Sequence, residues 1–158
     1  LRYPNIIGSD AKGEIGEKNS FITRIVPTFY KNIINKKKNT IFYDFKNKKF
    51  PTRNYLHVDD IAKLNIDVVK NIKKFTNNYY IFNITNNKFY SNFDVLTNLT
   101  KITKTKPSYV LKKMSIKESI KPSYSKKNEI NKFVKFKPKI SGLKNILNTN
   151  ILWFEKIY

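Results

Sequence analysis

An α/β fold containing part of a parallel sheet is predicted by three observations. Short β-rich runs alternate along the chain with amphipathic runs of helical period. The first run, Leu1 to Gly8, is apolar and closed by glycine, in the manner of a buried parallel strand that ends at a loop. With 158 residues, 40% of them apolar and 15% aromatic, the chain has material for one domain with a modest core.

The elements follow in order. Ser9 to Asn19 carries Gly13 and Gly16 and reads as loop. Phe21 to Lys37 places Ile22, Ile25, Val26, Phe29, Tyr30, Ile33 and Ile34 at helical spacing, with Pro27 marking a kink or a helix start. Asn39 to Tyr43 is a short strand, Asp44 to Thr52 a polar loop, and Tyr55 to Val58 another strand. Asp59-Asp60 then opens a helix with Ile61, Ala62, Asn65, Val68, Val69 and Ile72 in period. Its acidic start and its Lys73-Lys74 end both suit the helix dipole. Tyr79 to Ile84 is β-rich and reads as a strand. Ser91 and Asp94 form a capping box ahead of Val95, Leu96, Leu99 and Ile102. Tyr109 to Leu111 is a short strand, and Ser125 to Val134 a short helix broken by Pro138. From Ser141 to Tyr158 a last helix shows Leu143, Ile146, Leu147, Asn150, Ile151 and Phe154 on one face. No internal repeat is visible.

Composition excludes several function classes. Cysteine is absent and His57 is the single histidine, so neither a thiol nucleophile nor a thiolate or multi-histidine metal site can form. No apolar run approaches the roughly 20 residues of a membrane span, and the expected compartment is the cytoplasm. The formal charge of +21 invites a polyanion-binding reading, the rival from another class. Two features oppose it: the 32 basic residues are 29 Lys and 3 Arg, whereas phosphate sites favour arginine's forked donors, and the lysines are scattered over every segment. Excess Lys, Asn, Ile, Phe and Tyr together fit drift toward A/T-rich codons. Specific nucleic-acid binding is therefore not expected.

Three stretches, in order, carry a resemblance. Leu1-Arg2-Tyr3-Pro4-Asn5 with Gly8 resembles the L-R-Y-F-N-x-x-G strand of the extended short-chain dehydrogenase/reductase family, the NAD-dependent epimerases and dehydratases. Arg53 to Ala62 resembles that family's R-D-Y-I-H-V-x-D-L-A, and Tyr80 to Asn83 followed by Ser91 to Leu96 resembles its Y-N-L-G strand and S-x-x-E-V-L helix. Ala11 to Glu17 is similar to the x-x-G-x-I-G-E loop of the family's UDP-glucose 4-epimerases, and the ten residues Tyr43 to Thr52 resemble their long insertion. The resemblance covers residues 1–158 and implies the C-terminal, substrate-binding portion of a Rossmann-type protein. The family's glycine-rich NAD turn and Tyr-x-x-x-Lys pair, which precede the first of these motifs, find no match. With Leu1 already inside a strand, a fragment or one piece of a split enzyme is expected, with no catalytic residue of its own.

The resemblance implies substrate contacts residue by residue. Asn5 falls where the family asparagine donates to the substrate diphosphate, the alternative being a loop-entry Asn. Pro4 replaces the phenylalanine against the nicotinamide and leaves only a weak cofactor contact. Arg24 and Ile25 fall on positions that meet the diphosphate and the uracil side, against a solvated Arg beside a core Ile. Thr40, Ile41 and Phe42 match the strand that frames uracil, where backbone groups read the base edge and the aromatic covers it; Phe42 as plain core is an equal rival. Arg53 can hold two phosphate oxygens at once, and Tyr55 completes the set. His57 reads as a structural, hydrogen-bonded histidine. The family's R-x-G-D should fall near Ile116 to Ser119, where Arg, Gly and Asp are all missing. Lys135 to Pro138 lacks the turn glycine of G-W-x-P, and Asn83 to Asn86 lacks that of N-L-G.

What this implies is a UDP-sugar site belonging to an NAD-dependent isomerase that oxidises and re-reduces a sugar at C4. Its partners would be the UDP-sugar, an NAD-binding half and, as in the family, a second copy. Another nucleotide-sugar epimerase or 4,6-dehydratase, or a non-catalytic remnant, are the nearer alternatives.

Overall fold

A computed structural model describes residues 1–18, 24–114 and 128–158. Helices lie on both faces of a small sheet. Strand β1 (Asn5–Ile7) pairs in parallel with β3 (Thr52–His57), bringing Asn5 opposite Tyr55, and β3 pairs antiparallel with β4 (Phe89–Ser91). A separate parallel pair joins β2 (Asn39–Tyr43) to β5 (Tyr109–Lys113).

Side-chain alternation along β3 divides the core. Tyr55 points to one face with Ile7, against α1 (Ile25–Ile34), α3 (Asn92–Ile102) and α4 (Leu143–Ile157). Its neighbour Leu56 points to the other, where α2 (Val58–Lys70) contributes Ile61 and Leu64, beside Ile84, Ile130 and Val134. This is the expected α/β arrangement.

Each helix has a local cause. Pro27 is the third residue of α1, in the first turn, where an N–H has no intrahelical partner to lose; it marks a start rather than a kink. In α2, Asp59 and Asp60 occupy the first turn and Lys70 the last, and Lys63 pairs with Asp67 at 2.9 Å one turn on. Asp60 also fixes the far end of the chain, its two carboxylate oxygens accepting from the backbone N–H groups of Lys139 (2.8 Å) and Ile140 (3.1 Å). The capping box of α3 is present: Asp94 N–H donates to Ser91 Oγ at 3.0 Å, and Ser91 N–H donates to the Asp94 carboxylate at 2.7 Å. Ser91→Ala should lower the unfolding free energy by about 1 kcal/mol, measured by urea denaturation. The six positions read as the apolar face of the last helix are those that α4 buries.

Three expectations change. Tyr79 to Ile84 forms only an isolated bridge, Arg2 with Asn83, in which Arg2 N–H donates to Phe82 O and Ile84 N–H to Arg2 O. Continuing this parallel ladder requires an N–H at Pro4, which proline lacks, so both strands stop there. The side chains still alternate: Tyr79 and Ile81 are exposed while Tyr80 and Phe82 stack at 5.6 Å beside Phe75 and Phe133. The third strand begins at Thr52 rather than Tyr55, because β4, unforeseen in the sequence, pairs with its first half. Of the span Ser125 to Val134, the described part holds a 3-10 turn over Glu129–Lys132. Ile116 to Ser119 lies outside the described residues.

Candidate functional site

A cavity of about 390 Å³ opens where α1, β2, β3 and the start of α3 meet. It gathers six of the residues implicated by sequence: Asn5, Ile25, Thr40, Phe42, Arg53 and Tyr55. The alternation of β2 explains its wall, since Thr40 and Phe42 face outward while Asn39 and Ile41 face the core. Phe42 is 37% exposed and is therefore not core. Ile41 is fully buried, so its side chain is not part of the wall and only its backbone could meet a ligand there.

Tyr55 and Asn5 form the floor. Tyr55 is nearly fully buried, which pushes its hydroxyl up to about 12, against the smaller opposing effects of the Arg53 charge and a hydrogen bond with the Asn5 side chain. The phenol is thus neutral at physiological pH and holds the Asn5 amide instead of exchanging protons. Arg53 rises from the same strand, two residues away, its Nη1 donating to Thr52 O at 2.9 Å. That bond orients the guanidinium along the cavity rim.

Arg24 lies elsewhere. Its Nε meets the Glu17 carboxylate at 3.2 Å, and the side chain is mostly exposed. It lines a second cleft of about 220 Å³ that shares Asn5, Ile25 and Tyr55 with the first, and Pro4 lies there too. A third, of about 680 Å³, continues past Gly8, Asp10 and Asp59. The three make a trough running along the end of β1.

One wall of that trough is the loop after β1. The Asp10 carboxylate accepts from the N–H groups of Lys12, Glu14 and Ile15, at 3.0, 2.7 and 2.7 Å, which also holds its pKa below the usual carboxylate value. Trp153 of α4 donates from Nε1 to Glu17 O at 2.8 Å, and any Cβ at Gly16 would fall on the indole ring. This contact explains the second glycine of the loop motif.

His57 is structural, as read from the sequence. It is fully buried; Nδ1 accepts from Asp59 N–H at 3.1 Å, capping α2, which leaves Nε2 to donate to Thr149 Oγ1 at 3.0 Å. Burial lowers its pKa below 6.5, with Asp59 and Asp60 opposing. The unfolded chain therefore takes up a proton near pH 6.5 while the folded chain does not, and the contribution of His57 to stability is present above that pH and lost below it. The melting temperature should fall as pH drops from 6.5 toward 5.5. His57→Asn, which keeps a capping oxygen, should flatten that fall; an unchanged slope would contradict the assignment.

Several lining residues escaped the sequence reading. Thr28, Phe29 and Asn32 follow Ile25 at helical spacing, and that period was the available signal. Pro51 and Asn92 carried none.

The described residues do not fit a dinucleotide on their own. A dinucleotide-binding turn presents glycine N–H groups to phosphate at a helix start. Here Gly8 N–H donates to Asn150 Oδ1 at 2.9 Å, its missing Cβ faces the His57 ring, and loop rather than helix follows.

No family model matches the chain. Sequence comparison finds the UDP-glucose 4-epimerase of Lactobacillus helveticus, 35% identical over 106 residues, covering 65% of this chain and 32% of that protein. Over those 106 residues the chain is similar in sequence to that UDP-glucose 4-epimerase. It spans about a third of that relative's length. Among solved structures, the UDP-glucose 4-epimerase of Bifidobacterium longum in complex with NAD+ and UDP superposes with a TM-score of 0.82 at 22% identity, over 99% of this chain and 47% of that one. The UDP-glucuronic acid 4-epimerase of Bacillus cereus gives 0.75 at 18%, over 100% and 45%. The chain therefore has the α/β fold of about half of each of those solved chains.

Proposed function

We propose that this chain binds a UDP-sugar, as the substrate-holding part of a UDP-glucose 4-epimerase-type isomerase that interconverts UDP-glucose and UDP-galactose. The observation that carries the reading is the cavity itself, which is lined by residues from four separate elements, each matched to a family substrate position. In this reading Arg53 holds the diphosphate through paired N–H groups and the Asn5 amide, fixed by the neutral Tyr55 hydroxyl, adds a donor beside it. Thr40, Ile41 and Phe42 frame the uracil, with the Phe42 ring against its face. Ile25 supplies apolar contact on the opposite side. Arg24 joins the diphosphate only by leaving Glu17. Such grips fix the nucleotide end so that the sugar can turn in place.

No redox step is assigned to the described residues, because they do not fit NAD. NAD, an NAD-binding half and the family's homodimer enter as partners, with the cytoplasm as the compartment.

Calorimetric titration tests this directly. The chain should bind UDP saturably, should show no NAD binding up to millimolar concentration, and should not convert UDP-glucose to UDP-galactose when NAD is added. Absence of UDP binding would overturn the reading of the cavity. Micromolar NAD binding or turnover would overturn the division of labour.

A further inference from the structure

Asn92 is the unexplained group of the cavity wall. It is the first residue of α3, directly after the capping Ser91, and only 8% exposed. Its Nδ2 donates to the Phe42 carbonyl at 3.0 Å, which fixes the orientation of the amide, since an oxygen in that place would face another acceptor. The opposite atom, Oδ1, is buried and has no hydrogen-bond partner among the described residues. A buried acceptor left unpaired destabilises a fold, and a partner supplied by a ligand removes that cost.

We propose that Asn92 Oδ1 is a specificity-determining acceptor that takes the N3–H of a uracil base. The inference rests on the reading of the cavity as a UDP-sugar site and goes beyond it by assigning the choice of base to one side chain. Three observations converge. Asn92 is tied to Phe42, on the strand whose exposed face forms the cavity wall, so its amide lies beside β2. Oδ1 is buried and unpaired on a side chain that lines the cavity, which favours a closely packed ring edge over a hydrated ion. In a uridine nucleotide N1 carries the ribose, leaving N3–H as the one N–H on the ring. Cytosine presents a lone pair at that position, and an acceptor facing an acceptor rejects it. Of the neighbouring cavity residues, Thr28 Oγ1 donates to Arg24 O at 2.7 Å and Asn32 Nδ2 to Asn39 Oδ1 at 3.2 Å, whereas Asn92 Oδ1 is the wall acceptor that is buried and unpaired.

The test is a set of titrations on the 158-residue chain with UDP, CDP and N3-methyl-UDP. The wild-type chain should prefer UDP to either analogue by about tenfold or more. In Asn92→Ala the preference should collapse to about twofold, through weaker UDP binding with little change for the analogues. Binding of CDP or N3-methyl-UDP within twofold of UDP by the wild-type chain overturns the proposal while leaving the cavity reading intact. An Asn92→Ala chain that folds and keeps the full preference does the same. If the wild-type chain binds none of the three, both readings fall together. The wild-type comparisons stand even if the alanine variant does not fold.

Discussion

Replacing Phe154 by alanine should destabilise the chain by about 3–5 kcal/mol and lower its thermal midpoint by roughly 10 °C or more. Phe154 is fully buried on α4, its ring 5.1 Å from that of Tyr30 on α1 and 5.7 Å from that of Tyr158. Truncation leaves a cavity between two helices and removes both ring contacts. The damage should reach the site, because α4 anchors the end of β1: Asn150 Oδ1 accepts from Gly8 N–H, and Thr149 Oγ1 from Ser9 N–H. Those bonds hold the strand on which Asn5 sits. Thermal denaturation followed by circular dichroism measures the effect. A loss below about 1 kcal/mol, the level of an ordinary substitution, would mean that α4 is not packed as described.

Arg53→Ala should weaken UDP binding by about one to two orders of magnitude, the equivalent of roughly 1.5 to 3 kcal/mol of charge-assisted hydrogen bonding. Arg53→Lys should recover only part, since it keeps the charge and loses the planar pair of donors. Because Arg53 is part-exposed at the rim of the cavity while Tyr55 beside it is buried, the thermal midpoint should move little in either variant. Calorimetry with UDP gives the affinities. A change within twofold for Arg53→Ala would make Arg53 a strand-edge cation and remove the diphosphate clamp from the account.

The helices were legible in the sequence and the sheet less so, for physical reasons that can be named. An amphipathic period over 15 residues is carried by many side chains, and the face of α4 was read from it. On α2 Ile61 is buried, but Ala62, Val69 and Ile72 are exposed and the buried Leu64 was not singled out. A three-residue strand such as β4 carries almost no periodic signal; it exists because β3 offers it a ladder. Tyr79 to Ile84 had the right alternation and failed on one missing N–H at Pro4, a partner 80 residues away in sequence. In the site, motif matching singled out polar residues, such as Asn5 and Arg53, that line one cavity. It could not show that Ile41 turns inward, since that depends on which face of β2 meets the core. Nor could it show that Glu17 occupies Arg24, a contact that no motif encodes. Asn92 was invisible because its meaning lies in an unpaired atom, and only a three-dimensional hydrogen-bond count reveals one.

The central claim, that the cavity at the junction of β2, β3 and α3 is a nucleotide-sugar site, is tested most directly by titrating the ¹⁵N-labelled chain with UDP-glucose and following its amide resonances. The account predicts saturable shifts at Asn5, Thr40, Phe42, Arg53 and the Asn92 side-chain amide, with the resonances of Lys63 and Asp67 on the opposite face of the sheet unmoved. Shifts spread evenly over the lysine-rich surface and abolished by moderate salt would contradict it, and would mark a non-specific polyanion surface in place of a site.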